Sequence, residues 1–90
     1  ISALAESFYV PVSPHDASGP INILAGAHTM MTVPNFYKLE INHASLNSLN
    51  SMIDEPLNIC DGKIRLPSRP GLGINLDEEF IEAHLDNDWK

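Results

Sequence analysis

The sequence predicts an α/β fold built on one strand–helix–strand unit whose two strands run parallel. Three observations carry that expectation. A β-branched and aromatic run, Phe8 to Val12, leads into a Ser13-Pro14-His15-Asp16 turn and a Gly19-Pro20 step, with no hairpin signal between them. A long apolar segment, Ile21 to Val33, comes next and is stopped by Pro34-Asn35. A second short run, Phe36 to Ile41, follows directly. Strand, helix and strand in that order form a right-handed crossover with parallel strands.

Taken in order, Ile1, Leu4, Ala5 and Phe8 have the spacing of one helical face, so the first residues read as the end of a helix. In the first strand, Pro11 marks an end or an irregularity. Pro20 suits the first position of the long helix, with Ser18 or Gly19 as its cap. That helix is apolar nearly all round, which predicts burial on more than one side. Asn42 to Ser51 reads as a loop holding a turn of helix around Leu46 and Leu49. Leu57 to Cys60 and Lys63 to Leu66 form a hairpin around Asp61-Gly62. Pro67 to Gly73 is a stiff loop. Asp77 then caps a last helix, with Glu78 and Glu79 in its first turn, Phe80, Ile81 and Leu85 facing inward, an end near Asn87, and Trp89 anchoring the tail.

Two parallel strands and a hairpin cannot cover both faces of a sheet or hide its edges. The expectation is therefore a piece of a larger α/β protein, its C-terminal end. The chain has 90 residues, 43% of them hydrophobic, which is one small domain at most. It holds no apolar run of the roughly 20 residues a bilayer requires, and its start lacks a basic signal-peptide region. Five basic and twelve acidic side chains give a formal charge of −7, without the basic stripe a nucleic-acid partner needs. That acidity also weighs against an anionic membrane surface, but not against a small anionic substrate. The single cysteine, Cys60, excludes an internal disulfide framework and suits a reducing cytoplasm.

Sites in parallel α/β folds lie beyond the carboxyl ends of the strands. His15 follows the first strand and Glu40 ends the second, and adjacent strands are about 4.8 Å apart. Both side chains can then meet one small ligand. Histidine moves protons near neutral pH, and a protonated or hydrogen-bonded glutamate can hold a developing oxyanion. Asp16, Ser18 and His43 are candidate substrate-binding residues beside the pair. His28 reads as a satisfied core histidine, His84 as a surface one, Met30 and Met31 as packing, and Asp77-Glu78-Glu79 as a helix start.

The segments ISALAE, YVPVSPHDASGPI, NFYKLE and DGKIRLPSRPGLGINLDEE together resemble the C-terminal end of the mandelate racemase branch of the enolase superfamily. Within that branch the resemblance is to acid-sugar dehydratases similar to D-galactonate dehydratase. The resemblance runs over nearly the whole chain, and PGLGI after the Asp-Gly hairpin is its most specific part. It implies the last βαβ unit of a modified (β/α)7β TIM-like barrel over residues 1–53. A hairpin, the PGLG loop and a helix over 54–90 would return to an α+β capping domain.

By the same resemblance His15 matches the general base at the end of the seventh strand, and Glu40 the eighth-strand acid that hydrogen-bonds the enediolate. The resemblance also implies that such a base works together with Mg²⁺. The orienting aspartate would come from the sixth strand and the metal carboxylates from strands three to five, all upstream. Asp16 is not that aspartate. The implied reaction is metal-assisted removal of the proton α to a carboxylate, with Mg²⁺ on that carboxylate. Loss of a β-hydroxyl then converts an aldonate such as galactonate to a 2-keto-3-deoxy acid. Racemisation, epimerisation or cycloisomerisation are the alternatives within the superfamily, and a non-catalytic interaction piece is the alternative outside it. The implied partners are the upstream barrel and capping segments, a small anionic sugar acid and further copies of the complete chain in a homo-oligomer.

Overall fold

The computed structural model describes residues 1–86 and 88. The anchor expected of Trp89 falls outside the described residues, whereas the last helix, expected to end near Asn87, already ends at Ala83. Helix α1 spans Ser2–Glu6. After it Tyr9 takes φ 57°, in the left-handed region. The strand expected from Phe8 is therefore corrected. Phe8 and Tyr9 turn the chain out of α1, and pairing starts only at Val12.

The parallel unit is one bridge, Val12 to Phe36, and not two full strands. The Val12 N–H donates to the Asn35 carbonyl (2.9 Å) and the Tyr37 N–H to the Val12 carbonyl (2.9 Å). A longer bond from the Glu40 N–H to the Pro14 carbonyl (3.4 Å) carries the pairing to the far end. Ser13 ties the same two segments through its hydroxyl and the Lys38 carbonyl, at 2.6 Å. The ladder is short for a physical reason. Pro11 and Pro14 have no N–H to donate, and among the described residues no further strand flanks either segment.

Helix α2, Pro20–Met30, has Pro20 at its first position and Gly19 as cap, and it ends three residues before the expected Val33. It buries Ile23, Leu24 and Ala27, while Ile21 on another face is exposed. Among the described residues, burial on more than one side is thus not met. Gly26 lets the helix lie close to the paired segments, since a Cβ there would stand 3.2 Å from Leu39 Cδ1 and 3.8 Å from Pro14 Cβ.

The Asn42 side chain caps a 3-10 turn, His43–Ser45, that runs into helix α3, Leu46–Asn50. Leu49, Ile53 and Leu57 pack on Ile23 and Leu24 to make the core, with Leu39, Ile41, Ile59 and Ile64 around it. Leu24 is 1% exposed, so Leu24→Ala is expected to cost about 2–5 kcal/mol of stability, read by chemical denaturation. Strands β1, Asn58–Cys60, and β2, Lys63–Arg65, form the expected antiparallel hairpin. Asp61 (φ 50°) and Gly62 (φ 70°) make the turn that the Asp-Gly pair announces.

The loop after β2 is held by one polar cluster. Arg69 donates to both carboxylate oxygens of Asp54 (2.8 and 2.9 Å) and through Nε to the Gly73 carbonyl (2.9 Å). Asn75 donates its N–H and its side-chain amide to the same carboxylate, each at 2.9 Å. The Arg69 hydrogen bond, then that of the Asn75 backbone, holds the Asp54 carboxyl well below the usual carboxylate range. A depressed carboxyl stabilises the fold fully above its ordinary pKa, and that contribution is lost as pH falls below it. Arg69→Ala is therefore expected to move the Asp54 titration upward and to loosen residues 67–75 at higher pH than in the parent. An NMR pH titration reads both changes.

Gly73 is buried at φ 80°, and a Cβ there would overlap the Pro67 ring. Gly73→Ala is expected to cost at least about 2 kcal/mol, from left-handed strain and overpacking together. Helix α4, Glu78–Ala83, begins as expected, with the Phe80 N–H donating to the Asp77 carboxylate at 2.9 Å. Leu85, expected inward, is exposed, because the helix stops at Ala83 and the helical period no longer applies to it. Phe80 stacks on the His84 ring, 4.0 Å between centroids.

Candidate active site

The far end of the parallel pairing carries the chemistry-bearing residues. His15 follows Pro14, and Glu40 follows Leu39 on the partner segment, so the pairing sets them side by side. His15 Nδ1 lies 2.6 Å from Glu40 Oε2. The Asp16 N–H donates to that same oxygen at 3.1 Å. The His15 side chain is 82% exposed and that of Glu40 51%, so the tip is an open ledge and not an enclosed cavity. An exposed pair of this kind stabilises a fold by only about 0–1 kcal/mol. What the contact fixes is orientation. With Nδ1 turned to the carboxylate, Nε2 is the nitrogen left to face solvent or a ligand.

Asp16 is 2% exposed. Its Oδ1 accepts the Ser18 N–H at 3.0 Å and lies 3.4 Å from the Ser18 hydroxyl. Its Oδ2 is enclosed and has no hydrogen-bond partner among the described residues. Ser18 is exposed on the rim of this turn. The Asn22 side chain reaches back to the His15 carbonyl at 3.4 Å. His43 is exposed at the start of the 3-10 turn and makes no hydrogen bond to His15, Asp16 or Glu40 among the described residues.

The structure thus joins His15, Asp16, Ser18 and Glu40 through direct bonds, which His43 does not share among the described residues. Sequence reasoning missed that the Asp16 backbone holds Glu40 and that its side chain is buried in the turn. The expectation of a satisfied core histidine fails for His28, whose Nε2 is enclosed without a partner among the described residues. Among the described residues no cluster of three or more His, Cys, Asp or Glu could hold a metal ion. No described helix is long and apolar enough to cross a membrane.

Residues 1–80 match the family described as enolase C-terminal domain-like. The chain belongs to that family. This enolase-family chain is 35% identical over 85 residues to a D-xylonate dehydratase of Haloferax volcanii, covering 94% of itself and 21% of that protein. It is 31% identical to a D-galactonate dehydratase of Xanthomonas euvesicatoria, with all of the chain and 26% of the relative covered. Its fold matches a mandelate racemase/muconate lactonizing enzyme-like protein from Rubrobacter xylanophilus, with a TM-score of 0.84 and 34% identity over 97% of this chain and 23% of that one. It also matches a structure from Burkholderia xenovorans solved with magnesium and fumarate, with a TM-score of 0.82 and 28% identity over 92% of this chain and 21% of that one. The chain spans about a fifth to a quarter of the length of these proteins. Such neighbours place it in an α/β, TIM-barrel-related fold.

Proposed function

We propose that this enolase-family chain is the C-terminal part of a larger acid-sugar dehydratase, in which residues 1–53 close the barrel and 54–90 return to a capping domain. The observation that carries the reading is the 2.6 Å approach of His15 to Glu40 at the ends of two parallel-paired segments. The naming of curated relatives as D-xylonate and D-galactonate dehydratases supports the substrate class. The open ledge at the tip, and apolar side chains of α1 and α2 left exposed, suit docking on upstream segments.

In this reading His15 Nε2 takes the proton from the carbon next to a sugar-acid carboxylate. Glu40 Oε2 holds the imidazole through Nδ1. Glu40 Oε1 makes no hydrogen bond among the described residues and is the oxygen free to face the enediolate. The β-hydroxyl would then take a proton from a general acid of the upstream segments and depart as water, and the resulting enol becomes a 2-keto-3-deoxy acid. The proposal includes Ser18 and His43 as substrate contacts from the rim. The described residues do not suit Mg²⁺ as a ligand set, so such an ion would be held by carboxylates of the upstream segments. Assembly of complete chains into a homo-oligomer and a cytoplasmic setting belong to the same proposal.

Incubating the complete protein with galactonate and xylonate in D₂O tests it. A 2-keto-3-deoxy product carrying deuterium at C3, taken up from solvent as the enol becomes the ketone, is expected. Deuterium with the original carbon skeleton and hydroxyls retained would assign a racemase or epimerase instead. The ninety residues alone are expected to show no turnover and no tight Mg²⁺ binding by calorimetry. Measurable turnover by them would overturn the proposed division of the site.

A further inference from the structure

We infer that Asp16 is a positioning residue for Glu40, acting through its turn and not by touching substrate. The inference rests on the function proposed above and adds a residue to its site. Two bonds carry it. The Asp16 N–H donates to Glu40 Oε2 (3.1 Å), the same oxygen that meets His15. The Asp16 carboxylate accepts the Ser18 N–H (3.0 Å), which fixes the turn and so the direction of that donor.

Burial sets the role apart from a substrate contact. At 2% exposure the Asp16 carboxylate is withdrawn from the ledge on which His15 and Glu40 are open. A carboxylate enclosed with one oxygen unpartnered among the described residues is costly for packing alone. Its partnered oxygen does the one thing an apolar residue could not. It accepts the Ser18 N–H and so fixes the turn that aims the Asp16 backbone N–H at the carboxylate orienting the imidazole. Displacing a reacting group by about 1 Å can cost about 100-fold in rate.

The test is a double-mutant cycle in the complete protein, read as steady-state kinetics and as α-proton exchange in D₂O. Asp16→Ala is expected to lower kcat about 10- to 100-fold with KM changed little. Asp16→Asn, whose amide oxygen can still accept the Ser18 N–H, is expected to recover most of that loss. In a Glu40→Ala background, Asp16→Ala is expected to cost almost nothing further, because the group it positions is gone. Equal losses in both backgrounds would overturn the inference, as would a loss confined to KM. No loss from Asp16→Ala, while His15→Asn and Glu40→Ala remain impaired, would overturn it and leave the proposed function standing. Undiminished exchange in His15→Asn or Glu40→Ala would overturn both. If Asp16→Ala does not fold, Asp16→Ser, with a weaker acceptor at the same place, takes its position in the cycle.

Discussion

His15→Asn in the complete protein is expected to lower α-proton exchange about 10²–10⁴-fold, the usual contribution of a positioned general base. The expectation follows from the ledge itself. Nδ1 is turned to Glu40 at 2.6 Å, so Nε2 is the nitrogen with a lone pair to offer. Asparagine keeps polarity and approximate size but cannot take a proton near neutral pH. The His15 side chain is exposed, and its pairing contributes little to stability, so the variant should melt close to the parent. Exchange followed by NMR in D₂O separates the chemical defect from any fold defect. A variant that folds normally and still exchanges at the parent rate would place the base elsewhere.

Glu40→Gln is expected to lower kcat by about 10²–10³-fold, comparable to losing one oxyanion-stabilising group. Glutamine keeps an acceptor for the Asp16 N–H but replaces the carboxylic O–H that would face the enediolate with a weaker amide N–H donor. Because the interaction is made with the intermediate, kcat and kcat/KM should fall together, with KM nearly constant. A rise in KM alone would show that Glu40 only binds the ground state. The double variant His15→Asn/Glu40→Gln should lose less than the product of the two single losses, since both residues act at one step.

Local chemistry was legible where a few neighbouring residues decide the backbone. Asp61-Gly62 sets the hairpin by taking positive φ twice, Pro20 starts α2, and Asp77 caps α4. The approach of His15 to Glu40 was legible too, because strand–helix–strand order puts both at one end of the unit. The extent of the strands was not. The run from Phe8 has strand composition, yet Tyr9 turns in the left-handed region, and the pairing reduces to a bridge at Val12. Parallel pairing depends on flanking strands and covering helices that lie outside any local window. The Asp54–Arg69–Asn75 cluster and the Asp16–Glu40 bond were hidden for the same reason. They join residues 15 to 24 positions apart through the tertiary fold, and no spacing rule announces them.

The most direct measurement is a crystal structure of the complete protein with a sugar acid bound. The expected result has His15 Nε2 and a Glu40 carboxyl oxygen on one substrate, with the nitrogen about 3–3.5 Å from the α carbon. A sugar acid seated away from this ledge, with both side chains out of its reach, would contradict the account.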